Sequence, residues 1–301
     1  MACLLAATLS AQHPFRTLSL TGPDGAIAGE HVNATLDFPA LRRQLLAKSG
    51  RLTLPLPDGT EAAFSVEEAP VFDPELSARY PDIRSYRLEG EWGAGRLALS
   101  PTGADVLLAG PEGLYAIQRA DADAHYQVFY SAAYAGGELS LPLSCGFNPA
   151  DPHNQQEGER GAGKKAFGKS VAVPRELRQY DIVLSNTGEF ANQVGGTKEK
   201  VLAAFNTAIS TVNVIFEREV GVRLNLLAIS EEVIFLDPAN DPYADSDEGT
   251  GLLEQVAEAF RAADIPADSY DLGHVMTSRC IDVGGVVSGL ACSGSKTRGV
   301  T

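Results

Sequence analysis

The chain has 301 residues, 44% of them hydrophobic, and a formal net charge of -15 from 24 basic and 39 acidic side chains. That length makes two ordinary domains or one large one, with enough apolar residues for a sizeable core. The acidic balance argues against a nucleic-acid partner, because phosphate contacts need a basic face, and is expected to serve solubility.

Residues 1–14 open with MACLLAATLSAQ, small and apolar. They have the apolar run and cleavage region of a secretory signal peptide but no positive n-region. The expectation is a signal-peptide remnant and a secreted protein, with a buried first strand as the alternative. No other apolar run approaches the ~20 residues of a membrane span, so none is expected. Of the four cysteines, Cys3 would leave with the signal. Cys145, Cys280 and Cys292 then remain, one pair and one thiol.

Residues 15–145 read as a strand-rich domain. Phe38 to Leu46 is a short helix, with Asp37 as its cap. Arg51 to Leu56 alternates polar and apolar residues, Pro57-Asp58-Gly59 is a turn signal, and Ala63 to Val66 resumes the alternation, which predicts a hairpin. Tyr86-Arg87-Leu88 and Tyr126 to Tyr130 continue the strand pattern. Asn33-Ala34-Thr35 matches a glycosylation sequon by pattern only.

Residues 146–175 are a linker by composition, rich in glycine, charge and amide. Arg160, Lys164 and Lys165 are expected to be exposed there, and exposed loops are where proteases cut. From 176 to 301 the periods change again. Asp181 to Leu184 is a short buried strand. Thr197 caps a helix to about Val220, with Val201, Leu202, Phe205, Ile209, Val212 and Phe216 at helical spacing and Gly221 after its end. Val222 to Ile229 alternates as a strand, Leu252 to Ala263 is a second amphipathic helix, and Leu272 to Met276 and Val283 to Ala291 are further strands. The order predicts an α+β protein whose C-terminal part is a twisted mixed sheet backed by two helices.

Several motifs come in a fixed order. They are ELSARYPDIRSY from Glu75, the stretch Asn186 to Ala228, VIFLDPANDPY from Val233, YDLGHVM from Tyr270, GGVVSGLAC from Gly284 and SKTRGV from Ser295. The ordered set resembles the secreted bacterial reprolysin-like zinc metalloproteases, relatives of the adamalysins in the metzincin clan. The resemblance implies a prodomain over residues 15–145 and the N-terminal part of a catalytic domain over 176–301. It also implies peptide-bond hydrolysis, protein or peptide substrates, and zinc in the complete enzyme.

The family's HExxHxxGxxH helix is not in this sequence. None of its five histidines, His13, His31, His125, His153 and His274, stands four from another, and a zinc site of this class needs such a pair. The chain is therefore expected to be an incomplete, inactive fragment with no bound zinc and no catalytic residue. A secreted peptide-binding protein without the zinc helix is the rival reading. His274 is expected to be a packed strand residue.

Pro142-Leu143-Ser144-Cys145-Gly146-Phe147 resembles the adamalysin cysteine switch, which implies that the Cys145 thiolate holds the zymogen zinc. A small buried thiol, or a disulfide from Cys145 to Cys280 or Cys292, is the alternative. Cys280 and Cys292 form the disulfide candidate of a secreted chain, a short closure worth ~3 kcal/mol. Gly285, Val286, Val287, Ser288, Gly289 and Leu290 are implied to form the edge strand that receives the peptide.

The acidic loop from Asp237 to Glu248 misses the EF-hand spacing, so calcium is only weakly suggested and a solvated loop is preferred. Gly289 to Thr297 resembles a phosphate-binding loop, but Ser295 stands where lysine is needed. The chain is expected to be monomeric.

Overall fold

Alternation in the first half of the chain becomes one continuous antiparallel ribbon. In a computed structural model, which describes residues 13–17, 31–46, 50–120, 124–130, 176–243, 249–278, 286–287 and 299–301, nine strands pair in one sheet. They are β1 (Phe15–Thr17), β2 (His31–Leu36), β3 (Arg51–Pro55), β4 (Glu61–Glu68), β5 (Arg84–Gly90), β6 (Gly93–Ser100), β7 (Gly103–Gly110), β8 (Gly113–Arg119) and β9 (His125–Tyr130). Their order is β1-β2-β9-β8-β7-β6-β5-β4-β3. From β3 to β9 each strand lies beside its neighbour in sequence, as short turns dictate. The expected hairpin pairs Arg51 with Ser65 and Pro55 with Glu61. Its turn is held by Asp58, whose carboxylate accepts from the Thr60 amide at 2.9 Å. Helix α1 (Phe38–Leu46) starts where expected, the Asp37 carboxylate accepting from the Ala40 amide at 2.9 Å.

The second sheet has five strands in the order β11-β10-β12-β14-β13. They are β10 (Arg178–Asn186), β11 (Val222–Leu226), β12 (Leu272–Met276), β13 (Val286–Val287) and β14 (Gly299–Val300). Pairing is parallel from β11 to β14, and β13 alone is antiparallel. Between β10 and β11 run α3 (Gly188–Val194) and α4 (Lys198–Glu219). α5 (Gly249–Ala262) precedes β12. Thr197 caps α4 by accepting from the Lys200 amide at 3.3 Å.

Side chains alternate across a strand, so neighbours on β10 serve opposite faces. Ile182 and Leu184 join the core made with Val201, Leu202, Phe205 and Ile209 of α4. Val183 joins the core made with Leu252, Val256 and Phe260 of α5. The parallel sheet is therefore covered on both faces, as parallel sheets are.

Three expectations are corrected. Residues 228–229 do not extend β11: the chain turns into a 3-10 helix, Ala228–Val233. Two helices were expected with the sheet, but α3 adds a third, because Thr187 accepts from the Phe190 amide at 3.3 Å and starts a helix of its own. Short helix α2 (Pro74–Arg79) stands where none was expected, capped by Asp73 and begun by a proline.

The described residues pack as two units that are not sequential. One takes those of Met1–Glu68, Tyr86–Leu97 and Thr102–Gly137; the other takes those of Ala69–Ser85, Ala98–Pro101 and Glu138–Thr301. The loop between β4 and β5, which carries most of ELSARYPDIRSY, thus belongs with the five-stranded sheet. Residues 1–12 and the 146–175 linker lie outside the described residues.

Candidate functional site

The five-stranded sheet presents two unlike edges. At one, β13 pairs with β14 through Val286↔Val300 and Val287↔Gly299. Among the described residues no strand pairs with the other side of β13. A ladder that is parallel to its last strand but one therefore ends in an antiparallel edge. Such an edge offers unpaired N–H and C=O groups to another extended chain. Val286 and Val287 of the expected peptide-receiving segment are here; Gly285, Ser288, Gly289 and Leu290 lie outside the described residues.

Beneath this edge β14 runs parallel to β12, with Val275↔Val300 as partners. The Thr301 amide donates to the Val275 carbonyl at 3.0 Å, and the Thr277 amide to the Thr301 carbonyl at 2.7 Å. Position 299 must be glycine for packing reasons, since a β-carbon there would fall 2.2 Å from Nδ1 of His274. The His274 ring is packed against this strand, and burial pushes its pKa down to about 4. Nε2 of His274 lies 2.7 Å from the Thr301 hydroxyl. It is a packed strand residue, as expected.

Metal-ligating side chains do not converge among the described residues. Nδ1 of His13 is engaged with Glu61 at 2.9 Å, and His31 and His125 are on β2 and β9. Nor do the described acids of the 237–248 loop stand open for a cation. Asp237 accepts from the Ala239 amide at 3.0 Å and the Asn240 side chain at 2.6 Å, and these bonds hold its carboxyl below the usual range. Asp241 accepts from the amides of Gly188 at 2.7 Å and Tyr243 at 2.8 Å. Cys145, Cys280 and Cys292 lie outside the described residues.

The other edge, β11, is closed by groups that sequence reasoning passed over. Asn213 of α4 takes both backbone groups of Leu224, accepting from its N–H at 2.7 Å and donating to its C=O at 2.9 Å. Next to it the Leu226 amide donates to Val71 O at 2.6 Å, and the Asp73 amide donates to Leu226 O at 2.9 Å. Glu231 is 7% exposed. Its Oε1 accepts from the Tyr80 hydroxyl at 2.6 Å and its Oε2 is ion-paired with Arg79. Burial first, and then the bond to Glu231, push Tyr80 up to about 12. The legible signal was Asn206, Ser210 and Asn213, three polar residues on the apolar face of α4, since buried polar groups need partners.

Residues 202–301 match the family described as Metallo-peptidase family M12B Reprolysin-like. No curated protein matches the chain. Among solved structures it is similar to metalloproteinase-II from Bacteroides fragilis, at 13% identity over 83% of this chain and 74% of that one, with a TM-score of 0.44.

Proposed function

We propose, from a chain whose residues 202–301 match the reprolysin-like metallopeptidase family, that it is the precursor of a secreted zinc metalloendopeptidase and holds the substrate-gripping part of the catalytic domain. The observation that carries this reading is the antiparallel edge strand β13 at the end of a parallel ladder. An extended substrate would add to it as a further strand, over Gly285, Val286, Val287, Ser288, Gly289 and Leu290. Backbone pairing grips a peptide with little demand on its side chains, which suits an endopeptidase.

Residues 15–145 are read as the prodomain, 146–175 as the linker and 176–301 as catalytic-domain sequence. The apolar start at 1–14 supports export. Zinc dependence is general in this family. The described residues do not fit a zinc site, since no two histidines lie together on one helix. We therefore expect this 301-residue chain alone to be inert, and derive no hydrolytic step from it. Cys145 is proposed as the thiolate that would keep a zinc-bearing precursor latent, and Cys280 with Cys292 as a disulfide.

The test uses a chain extended to include a zinc-binding helix. Val287→Pro, which removes a backbone donor, should lower kcat/KM for peptides by ~10-fold with zinc content unchanged. Unchanged kinetics in the folded variant would place the substrate elsewhere. A zinc-free extended chain that still binds peptide would instead support a binding protein. In the same extended chain, Cys145→Ala should release activity without cleavage of the linker, and a variant as latent as its parent would remove the thiolate from the scheme.

A further inference from the structure

We propose that the loop Ala69–Ser85 is a clasp that completes the β11 edge, so that a cut in the linker leaves the two pieces of the chain bound to each other. This goes beyond the peptidase reading and does not depend on it.

The loop is closed at its root, where the Ala69 amide donates to the Ser85 carbonyl at 2.9 Å. From there it is built into the C-terminal unit at three levels. The first is the sheet. Phe72 forms a parallel bridge with Leu226, flanked by the backbone bonds of Val71 and Asp73. Asp73 divides its carboxylate, one oxygen capping α2 at the Leu76 amide (2.7 Å) and the other accepting from the Ala228 amide (2.7 Å). The second is the core. Val71, Phe72, Leu76 and Ile83 are buried in one cluster with Ile182, Phe205, Leu224 and Leu226. The third is polar. Tyr80 and Arg79 meet the buried Glu231. At the far end Asn206 of α4 donates to the Arg84 carbonyl at 3.0 Å, and Ser210 donates to the Ser85 hydroxyl at 2.9 Å.

Without the loop, β11 would expose Leu226 N–H and C=O, and the apolar cluster around Phe205, Leu224 and Leu226 would lose the cover of Val71, Phe72, Leu76 and Ile83. Both are costly, so the C-terminal piece has strong reason to keep the loop. The loop is covalently continuous with β4 and β5, and it therefore carries the whole N-terminal piece with it. Cleavage between residues 146 and 175 is then a nick rather than a release. Separation of the N-terminal piece needs a second cut within the clasp or at its root.

The experiment inserts a site-specific protease sequence after Gly161 in the full chain and cuts it to completion. Native size-exclusion chromatography at low micromolar concentration should show both pieces in one peak. Asp73→Ala with Tyr80→Phe should weaken the association by at least ~10-fold, since several hydrogen bonds are lost together. Asp58→Ala, in the β3–β4 turn, should leave it unchanged. If the double variant does not fold before cutting, Asn206→Ala with Ser210→Ala loosens the clasp from the opposite side. Pieces that separate in the parent overturn the proposal. So do pieces that stay together with undiminished affinity in a folded clasp variant, because the union would then rest on other contacts.

Discussion

At the scale of single residues, two close approaches make specific demands. Gly188 starts α3 directly under the loop at 237–238, where a β-carbon would lie 2.2 Å from Pro238 N and 2.5 Å from Asp237 C. Backbone cannot swing aside as a long side chain can, so Gly188→Ala should destabilise the folded chain by ~1–3 kcal/mol. An unchanged melting temperature would show that the loop gives way. His274 makes a demand of a different kind. Its folded pKa is about 4 against an ordinary 6.5, with burial as the cause. The unfolded chain therefore binds the proton more readily. Stability contributed by the neutral ring is complete above pH 6.5 and falls away as pH drops through 6.5 toward 4. Allowing for partial exposure, the loss is ~2 kcal/mol. Urea midpoints measured from pH 7 to 4 should show a shallower decline in His274→Gln than in the parent. Parallel profiles would remove the histidine from the account. Of the single-residue readings, the Asp37 and Thr197 caps and the packed His274 were legible because each depends on neighbours a few positions away or on a strand's own period. The engagement of Asp73 and Glu231 was not, because their partners lie far along the chain.

At the scale of elements, α4 does more than cover a face. Its 22 residues span ~33 Å, and its apolar stripe was plain in the sequence. Asn206, Ser210 and Asn213 interrupt that stripe, and each has a defined acceptor or donor. Asn213 substitutes for a missing neighbour strand at Leu224. Asn213→Ala should cost ~2 kcal/mol, since it leaves a buried N–H and C=O without partners. Hydrogen exchange would read this directly, with the Leu224 amide losing protection in the variant. Protection equal to the parent's would mean that another group closes the edge. The 3-10 helix after β11 escaped sequence reading for a related reason. Val222 to Ile229 keeps a strand-like alternation, but Asp73 captures the Ala228 amide at 2.7 Å, and the Ser230 amide turns back to Leu227 O at 3.0 Å. Tertiary hydrogen bonds overrode a local period.

At the scale of the whole molecule, chemistry and architecture separate. The chain contains five histidines without the paired spacing that a zinc helix requires. Purified in buffer with added zinc, it should hold no stoichiometric metal and cleave no peptide. One tightly bound zinc with chelator-sensitive proteolysis would sink that expectation. Under oxidising conditions, thiol labelling should leave Cys280 and Cys292 unmodified, and labelling of both would remove the proposed bridge.

By itself the sequence determined the strand-rich character of the first half of the chain, the hairpin at Asp58, the two long helices and the ordered motifs of the C-terminal part, where residues 202–301 match the reprolysin-like family model. Each is written in short-range periods, turn residues or ordered motifs. Only the tertiary structure decided that β13 is an antiparallel edge, that β11 is closed by Asn213 and the Ala69–Ser85 loop, and that the packed units interleave along the chain. Those outcomes depend on which distant segment best satisfies an exposed backbone edge and a buried carboxylate. Val71, Phe72 and Leu76 are apolar at any address, and local pattern does not say that the surface they cover is formed more than a hundred residues later, at Leu226.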